Sequence, residues 1–149
     1  GPLALSGCLA TGQAVLAAQA MGADLGYIGT AFIATREANA KEAYKQMIVE
    51  GNAESILFTN YFTGVYGNYL RRSIERAGIA PDSLPDTPGG RLNLEKGSYS
   101  EVKAWRDIWG AGQGIGAIEA VVSVEELVSR LHREYHEALR RVNALVPAA

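Results

Sequence analysis

The chain has 149 residues, 48% of them hydrophobic and 20% charged, with a formal net charge of −2. That is the balance of one soluble globular domain with a real core; it lacks the basic excess of a nucleic-acid binder and the acidic run of a solvating tail. No apolar stretch reaches the roughly 18 residues a membrane span needs. The single Cys8 excludes an internal disulfide framework and a cysteine-based zinc site, and a cytoplasmic location is the default expectation.

Leu3 to Leu5 is a short apolar run stopped by Ser6-Gly7. Thr11 is placed to cap a helix whose apolar stripe is Val15, Leu16, Ala20 and Met21, with Gly22 as its stop. Leu25 to Ile28 reads as a second strand ended by Gly29-Thr30, so the opening is a βαβ unit. A helix is predicted from about Glu37 to Glu50 on the stripe Ala40, Ala43, Tyr44, Met47 and Ile48. Ser55 to Thr59 is a strand or extended segment, Phe62-Thr63-Gly64 a turn, and Asn68 to Ala77 a further helix ending at Gly78. Pro81, Pro85, Pro88, Gly89, Gly90 and Gly97 mark a long surface loop. Ser123 and Glu126 form a capping box for the last helix, whose apolar face is Val124, Leu127, Val128, Leu131, Tyr135, Ala138 and Val142.

Parallel strands joined by a helix normally sit in a sheet covered on both faces. The few strands predicted here cannot build one, and the chain starts without a methionine and enters a strand at once. The expectation is therefore a piece of a longer protein, with the missing strands supplied by an N-terminal half or by another copy of the chain.

The clearest chemical signal is the pair of glycine turns, Ser6-Gly7-Cys8 and Gly29-Thr30, each at the C-terminal end of a strand. Glycine lets the backbone approach a ligand and aim successive N–H groups at it, and a following helix N-terminus adds positive potential for an anion. In β/α barrels the loops after the last two strands commonly hold a phosphate. The plainer alternative is that these glycines only turn the chain.

Several longer motifs then converge. Pro2-Leu-Ala-Leu-Ser-Gly-Cys-Leu-Ala-Thr-Gly12 is similar to the Gly-Gly-Ile-Ala-Asp-Gly stretch of nitronate monooxygenases, formerly called 2-nitropropane dioxygenases. Gly22-Ala-Asp-Leu-Gly-Tyr-Ile-Gly-Thr-Ala-Phe-Ile-Ala-Thr35 resembles that family's Gly-Ala-Asp-Gly-Val-x-x-Gly-Thr-x-Phe-x-Ala-Thr. Thr59 to Arg71 resembles the segment after the last barrel helix, and Trp109-Gly-Ala-Gly-Gln-Gly-Ile-Gly116 the Trp-x-x-Gly-Gln-Gly box. The motifs stand in the family's order and run from the first residue to about Leu131.

The resemblance implies an α/β fold, the C-terminal portion of an FMN-binding (β/α)₈ TIM barrel with appended helices. Residues 1–51 would be the last two β/α units, 52–116 an extended segment, helix, long loop and return to the flavin, and 117–149 the amphipathic helix. It implies FMN as cofactor, held at Ser6, Gly7, Cys8, Gly29 and Thr30, with Gln113 and Gly114 returning to the flavin. Nitroalkane or nitronate and O₂ would be the substrates, and the catalytic base, a histidine in this family, would precede the first residue. Cys8 departs from the usual second glycine; it is expected to be a small buried thiol, strained if its φ is positive. Tyr27 departs from the more common polar residue.

Other readings stand beside this one. A flavin-dependent enoyl-ACP reductase resembles the same family and shares both glycine turns. A non-flavin barrel would bind a phosphorylated metabolite on them, and an inactive half-barrel module would pair through its sheet edges, giving dimers or aggregation. His132 and His136 have helical i, i+4 spacing, but Glu134 is misplaced for a His-Glu-x-x-His zinc motif, so a solvated helix face is expected. Arg130, Arg133, Glu134, Glu137, Arg140 and Arg141 are assigned to the same face. Trp105 and Trp109 read as a core pair or a pocket cover. Tyr61, Tyr66 and Tyr69 with Arg71 and Arg72 read as a substrate entrance or a half-buried surface helix.

Overall fold

The computed structural model describes residues 1–84 and 104–145. In chain order its elements are β1 (Ala4–Ser6), α1 (Gly12–Ala20), β2 (Leu25–Tyr27), α2 (Thr30–Ile33), α3 (Glu42–Val49), β3 (Ile56–Thr59), β4 (Gly67–Leu70), α4 (Arg71–Arg76), α5 (Ala104–Asp107) and α6 (Val124–Asn143), with short 3₁₀ turns between them. They form two compact units, Gly1–Glu50 with Gly114–Ala149, and Gly51–Gln113.

The first unit opens with the predicted βαβ. β1 and β2 pair in parallel, with Ala4 opposite Leu25, Leu5 opposite Gly26 and Ser6 opposite Tyr27. Thr11 caps α1, its hydroxyl accepting the Ala14 N–H at 3.2 Å, and Gly22 leaves the helix at φ 97°. The buried face of α1 is not the predicted stripe. Gly12 and Ala18 are buried, whereas Met21 is 72% exposed. Small residues face inward because α1 packs on α6. A Cβ at position 12 would fall on the Leu131 carbonyl oxygen and the Tyr135 nitrogen, so only glycine permits this backbone-to-backbone approach.

α3 starts later than predicted, at Glu42. Thr35 instead forms a parallel bridge with Val122, and the Arg36 N–H donates to the Val122 carbonyl at 2.8 Å. This pairing holds the chain extended just before the predicted start of the helix. Met47 and Ile48 are buried as expected; Lys45 is buried with them, its Nζ donating to the Arg36 carbonyl at 3.3 Å.

α6 begins with the predicted capping box: the Glu126 N–H donates to Ser123 Oγ at 3.0 Å, and the Ser123 N–H to Glu126 Oε2 at 2.7 Å. That bond from the Ser123 backbone, more than Arg36 nearby, holds the Glu126 carboxyl below its ordinary range. Leu127 and Ala138 are buried, but Val128 and Val142 are about half exposed. Arg130 and Glu134 do not lie on the solvent face assigned to them, because the seam against α1 runs past both.

In the second unit, β3 and β4 pair antiparallel, Ile56 opposite Leu70 through Thr59 opposite Gly67. The helix predicted from Asn68 thus begins only at Arg71. Strand pairing wins over helix at 67–70 because it buries Tyr69 and Leu70 and gives the Leu70 N–H the Trp109 carbonyl at 2.7 Å. Tyr69, Ile74 and Ile108 form the core of this unit. Trp109 is buried, with the Arg76 guanidinium 3.7 Å above its ring. The Trp105 side chain and the loop glycines and prolines from Pro85 onward lie outside the described residues. Among the described residues, no helix is long and apolar enough to cross a membrane.

Candidate functional site

The parallel register puts the two glycine turns side by side. Ser6 and Tyr27 are paired residues at the C-terminal ends of their strands, and Ser6 Oγ donates to the Tyr27 carbonyl at 3.3 Å. Neighbouring strands lie about 4.8 Å apart, so the backbones that leave them, through Gly7-Cys8 and Ile28-Gly29-Thr30, emerge close together. Gly7 has φ 95° and Cys8 φ 55°, two successive left-handed residues. Gly7 and Gly29 are exposed, and a Cβ on either would meet nothing within 4 Å. The turns therefore face open space with main-chain amides near the surface.

Individual residues differ from expectation in instructive ways. Cys8 is exposed, not buried. Its positive φ is a conformation that L residues disfavour by about 1–2 kcal/mol. Gly29 is not in the left-handed region; its φ is −108°, and the chain passes directly into the short α2 at Thr30. Such a short helix after the last strand is the arrangement that barrel phosphate sites commonly use. The Ser6 hydroxyl ties the two strands through its bond to the Tyr27 carbonyl.

Gly114 does come back to the first turn. A Cβ there would lie 2.8 Å from the Cys8 carbonyl oxygen and 3.0 Å from its carbonyl carbon, so the glycine backbone rests directly on the Cys8 peptide. Gln113, which precedes it, is exposed and opens the 3₁₀ turn Gln113–Ala117.

The sequence reading missed two side chains beside this region. Glu134 Oε2 accepts the Gly12 N–H at 2.8 Å, at the N-terminus of α1. Arg130 donates to the carbonyls of Ala10 at 3.4 Å and Ala117 at 3.3 Å, with its Nε 3.7 Å from Glu134 Oε1. The helical spacing placed them on one face; which face required knowing where α1 lies.

His132 and His136 are exposed, their Nε2 atoms 3.1 Å apart. Among the described residues no group of three or more His, Cys, Asp or Glu is arranged to hold a metal. Tyr69 is core, Tyr66 stacks on exposed Phe58, and Arg71 pairs with Asp82. A cavity of about 180 Å³ lies between Ala31, Ile118, Val122, Leu127 and Arg130, and none of the predicted cofactor residues lines it.

Comparison with known proteins bears on what these turns serve. The family model described as "Nitronate monooxygenase" matches residues 2–134. The chain belongs to the nitronate monooxygenase family. It is 26% identical to the nitronate monooxygenase of Paraburkholderia phytofirmans over 95% of the chain, and 29% identical to the probable nitronate monooxygenase of Bacillus subtilis over 89%. In both cases it spans 40% of the relative's length. Among solved structures it resembles a nitroalkane oxidase from Streptomyces ansochromogenes, with a TM-score of 0.65, 29% identity, and coverage of 94% of this chain and 41% of that one. It also shares the fold of FabK from Thermotoga maritima, with a TM-score of 0.70 at 20% identity, over 97% of this chain and 47% of that one.

Proposed function

We propose that this chain supplies the phosphate end of the flavin site in a cytoplasmic FMN-dependent enzyme that oxidises alkyl nitronates with O₂. The observation that carries the reading is the pairing of two glycine turns at the C-terminal ends of adjacent parallel strands, one with successive left-handed residues. Such a turn makes an anion-binding concavity of main-chain N–H groups, and its place in the fold matches the general barrel phosphate site. Family membership supports the nitronate chemistry.

The residues present fit a phosphate. Gly7 and Gly29 leave room for it, and no acidic side chain is part of either turn. In this reading the amides of Gly7, Cys8, Gly29 and Thr30 donate to the phosphate oxygens, and the Thr30 hydroxyl adds a donor. Gly114 fixes the Cys8 peptide by resting on it, and Gln113 lies at the flavin side. FMN, when bound, supplies the electron-accepting group of the reaction. Proton abstraction is assigned to residues outside this chain, since His132 and His136 lie on the exposed face of α6.

The reading also includes a partner half. On β2, Leu25 and Tyr27 share one face of the strand pair and are 56% and 68% exposed. Parallel sheets are normally covered on both faces, and a complete barrel takes roughly 250 residues. We assign the covering of this apolar face to the rest of a (β/α)₈ barrel.

Titrating the chain with FMN and with riboflavin, which lacks the phosphate, tests the site. Charge-assisted hydrogen bonds are worth about 1.5–3 kcal/mol each, so FMN should bind at least about tenfold tighter. FMN should also slow alkylation of exposed Cys8 by iodoacetamide. Equal affinity for the two flavins, with no protection of Cys8, would remove the phosphate reading. Turnover of nitronate by the isolated chain with added FMN should be slight; robust turnover would place the base within these residues.

A further inference from the structure

The nine-residue helix α1 starts just after the phosphate turn, and a free helix N-terminus there would attract the anion itself. It is already served. The Gly12 N–H goes to Glu134 at 2.8 Å and the Ala14 N–H to Thr11 Oγ1 at 3.2 Å. A carboxylate at this end offsets the positive potential of the helix and leaves the turn amides to hold the anion.

Arg130 works on the same segment from the other side. Its guanidinium bridges the carbonyls of Ala10 and Ala117, which follow Cys8 and Gly114 in their respective segments. Those segments meet where the Gly114 backbone rests on the Cys8 peptide. Arg130 and Glu134 side chains are 29% and 20% exposed, so this pair is sheltered relative to a surface ion pair. The planar fork of arginine can reach two carbonyls at once; the point charge of a lysine is poorly suited to do so. Cys8, at φ 55°, sits in a conformation that costs an L residue about 1–2 kcal/mol.

We infer that Arg130 and Glu134 are positioning residues for the phosphate turn. Arg130 clamps the turn in its left-handed form against the Gly114 segment. Glu134 closes the α1 N-terminus to the anion, confining phosphate to the amides of Gly7, Cys8, Gly29 and Thr30. The inference rests on the flavin-phosphate reading above, but the clamp itself can be read without flavin.

The experiment uses the full chain and the variants Arg130→Met, Arg130→Lys and Glu134→Gln, with folding checked by circular dichroism. In the flavin-free chain, Arg130→Met should speed hydrogen exchange at the hydrogen-bonded amides of Gly12 and Ala14, which follow the clamped Ala10 carbonyl, by at least about tenfold, the loss expected for a charge-assisted bond. It should weaken FMN by a similar factor while changing riboflavin affinity less than twofold. Arg130→Lys should recover only part of both effects, and carries the test if the methionine variant does not fold. Glu134→Gln keeps the acceptor for Gly12 but removes the charge, so inorganic phosphate and FMN should bind a few-fold tighter. Unchanged exchange in the folded arginine variants would overturn the clamp. Unchanged or weaker phosphate binding in Glu134→Gln would overturn the closure. If the unaltered chain binds FMN no tighter than riboflavin, the phosphate reading falls, and the exchange data still decide whether Arg130 holds the turn.

Discussion

Replacing Gly12 with alanine puts the α1–α6 packing to a direct test. The new Cβ would fall on the Leu131 carbonyl oxygen and the Tyr135 nitrogen, and 2.8 Å from Glu134 Cβ. Carbon contacts settle at about 3.5–4.0 Å, and the obstructing atoms are mainly helix backbone that cannot rotate away. The helices must separate by roughly 1 Å, which would stretch the 2.8 Å bond from Gly12 to Glu134 past the useful range of about 3.2 Å. Overpacking of this kind costs about 1–3 kcal/mol, and the charge-assisted bond adds about 1.5–3 kcal/mol. Alanine's better helix propensity returns at most about 1 kcal/mol. The net expectation, combining those terms, is a loss of about 2–5 kcal/mol. In urea, at a mid-range slope of about 2 kcal/mol per molar, the unfolding midpoint should fall by roughly 1–2.5 M. Gly29→Ala is the control, since its Cβ meets nothing within 4 Å and its φ is ordinary; it should stay within about 0.5 kcal/mol. A Gly12→Ala chain as stable as the unaltered one would refute the backbone-to-backbone packing.

Two other consequences concern stability. Ser73 is fully buried, donating to the Leu70 carbonyl at 2.7 Å and accepting the Trp109 N–H at 2.9 Å. Ser73→Ala should cost about 1–3 kcal/mol for each backbone group deprived of its partner, and a thermal midpoint within a degree or so (roughly 1 °C) of the unaltered chain would contradict that. Glu126 titrates below its usual 4.5 in the folded chain, chiefly because its carboxylate accepts the Ser123 N–H. The folded value lies below the unfolded one, so its contribution is complete above 4.5 and disappears as pH falls through the folded value. Stability followed from pH 6 downward, through about 4.5, should therefore decline less steeply in Glu126→Gln; parallel acid limbs for the two chains would count against this role.

The βαβ opening, the Thr11 cap and the Ser123–Glu126 capping box were legible in the sequence because each depends on residues a few positions apart. The paired glycine turns were legible for the same reason, and their side-by-side placement follows once the strands are known to be parallel. Readings that depended on a distant partner fared differently. Asn68 to Leu70 fit the start of a helix in the sequence, yet β3 supplies a ladder and Trp109 a carbonyl, and the segment becomes a strand. Cys8, beside the predicted phosphate site, reads from the sequence as a small buried thiol. In the fold it stands at the exposed tip of a left-handed turn.

By itself, then, the sequence determined the local elements, their caps and the family motifs, since these are written in short-range spacing and composition. Tertiary structure decided which face of α1 is buried, and extended the buried face of α6 from the predicted Leu127 and Ala138 to Arg130 and Glu134. The decisive term there is a glycine small enough for two backbones to touch, with Arg130 and Glu134 drawn inward to satisfy the polar groups that this contact encloses. A helical period can say that residues share a face, but only the neighbouring element decides whether that face meets water or another helix.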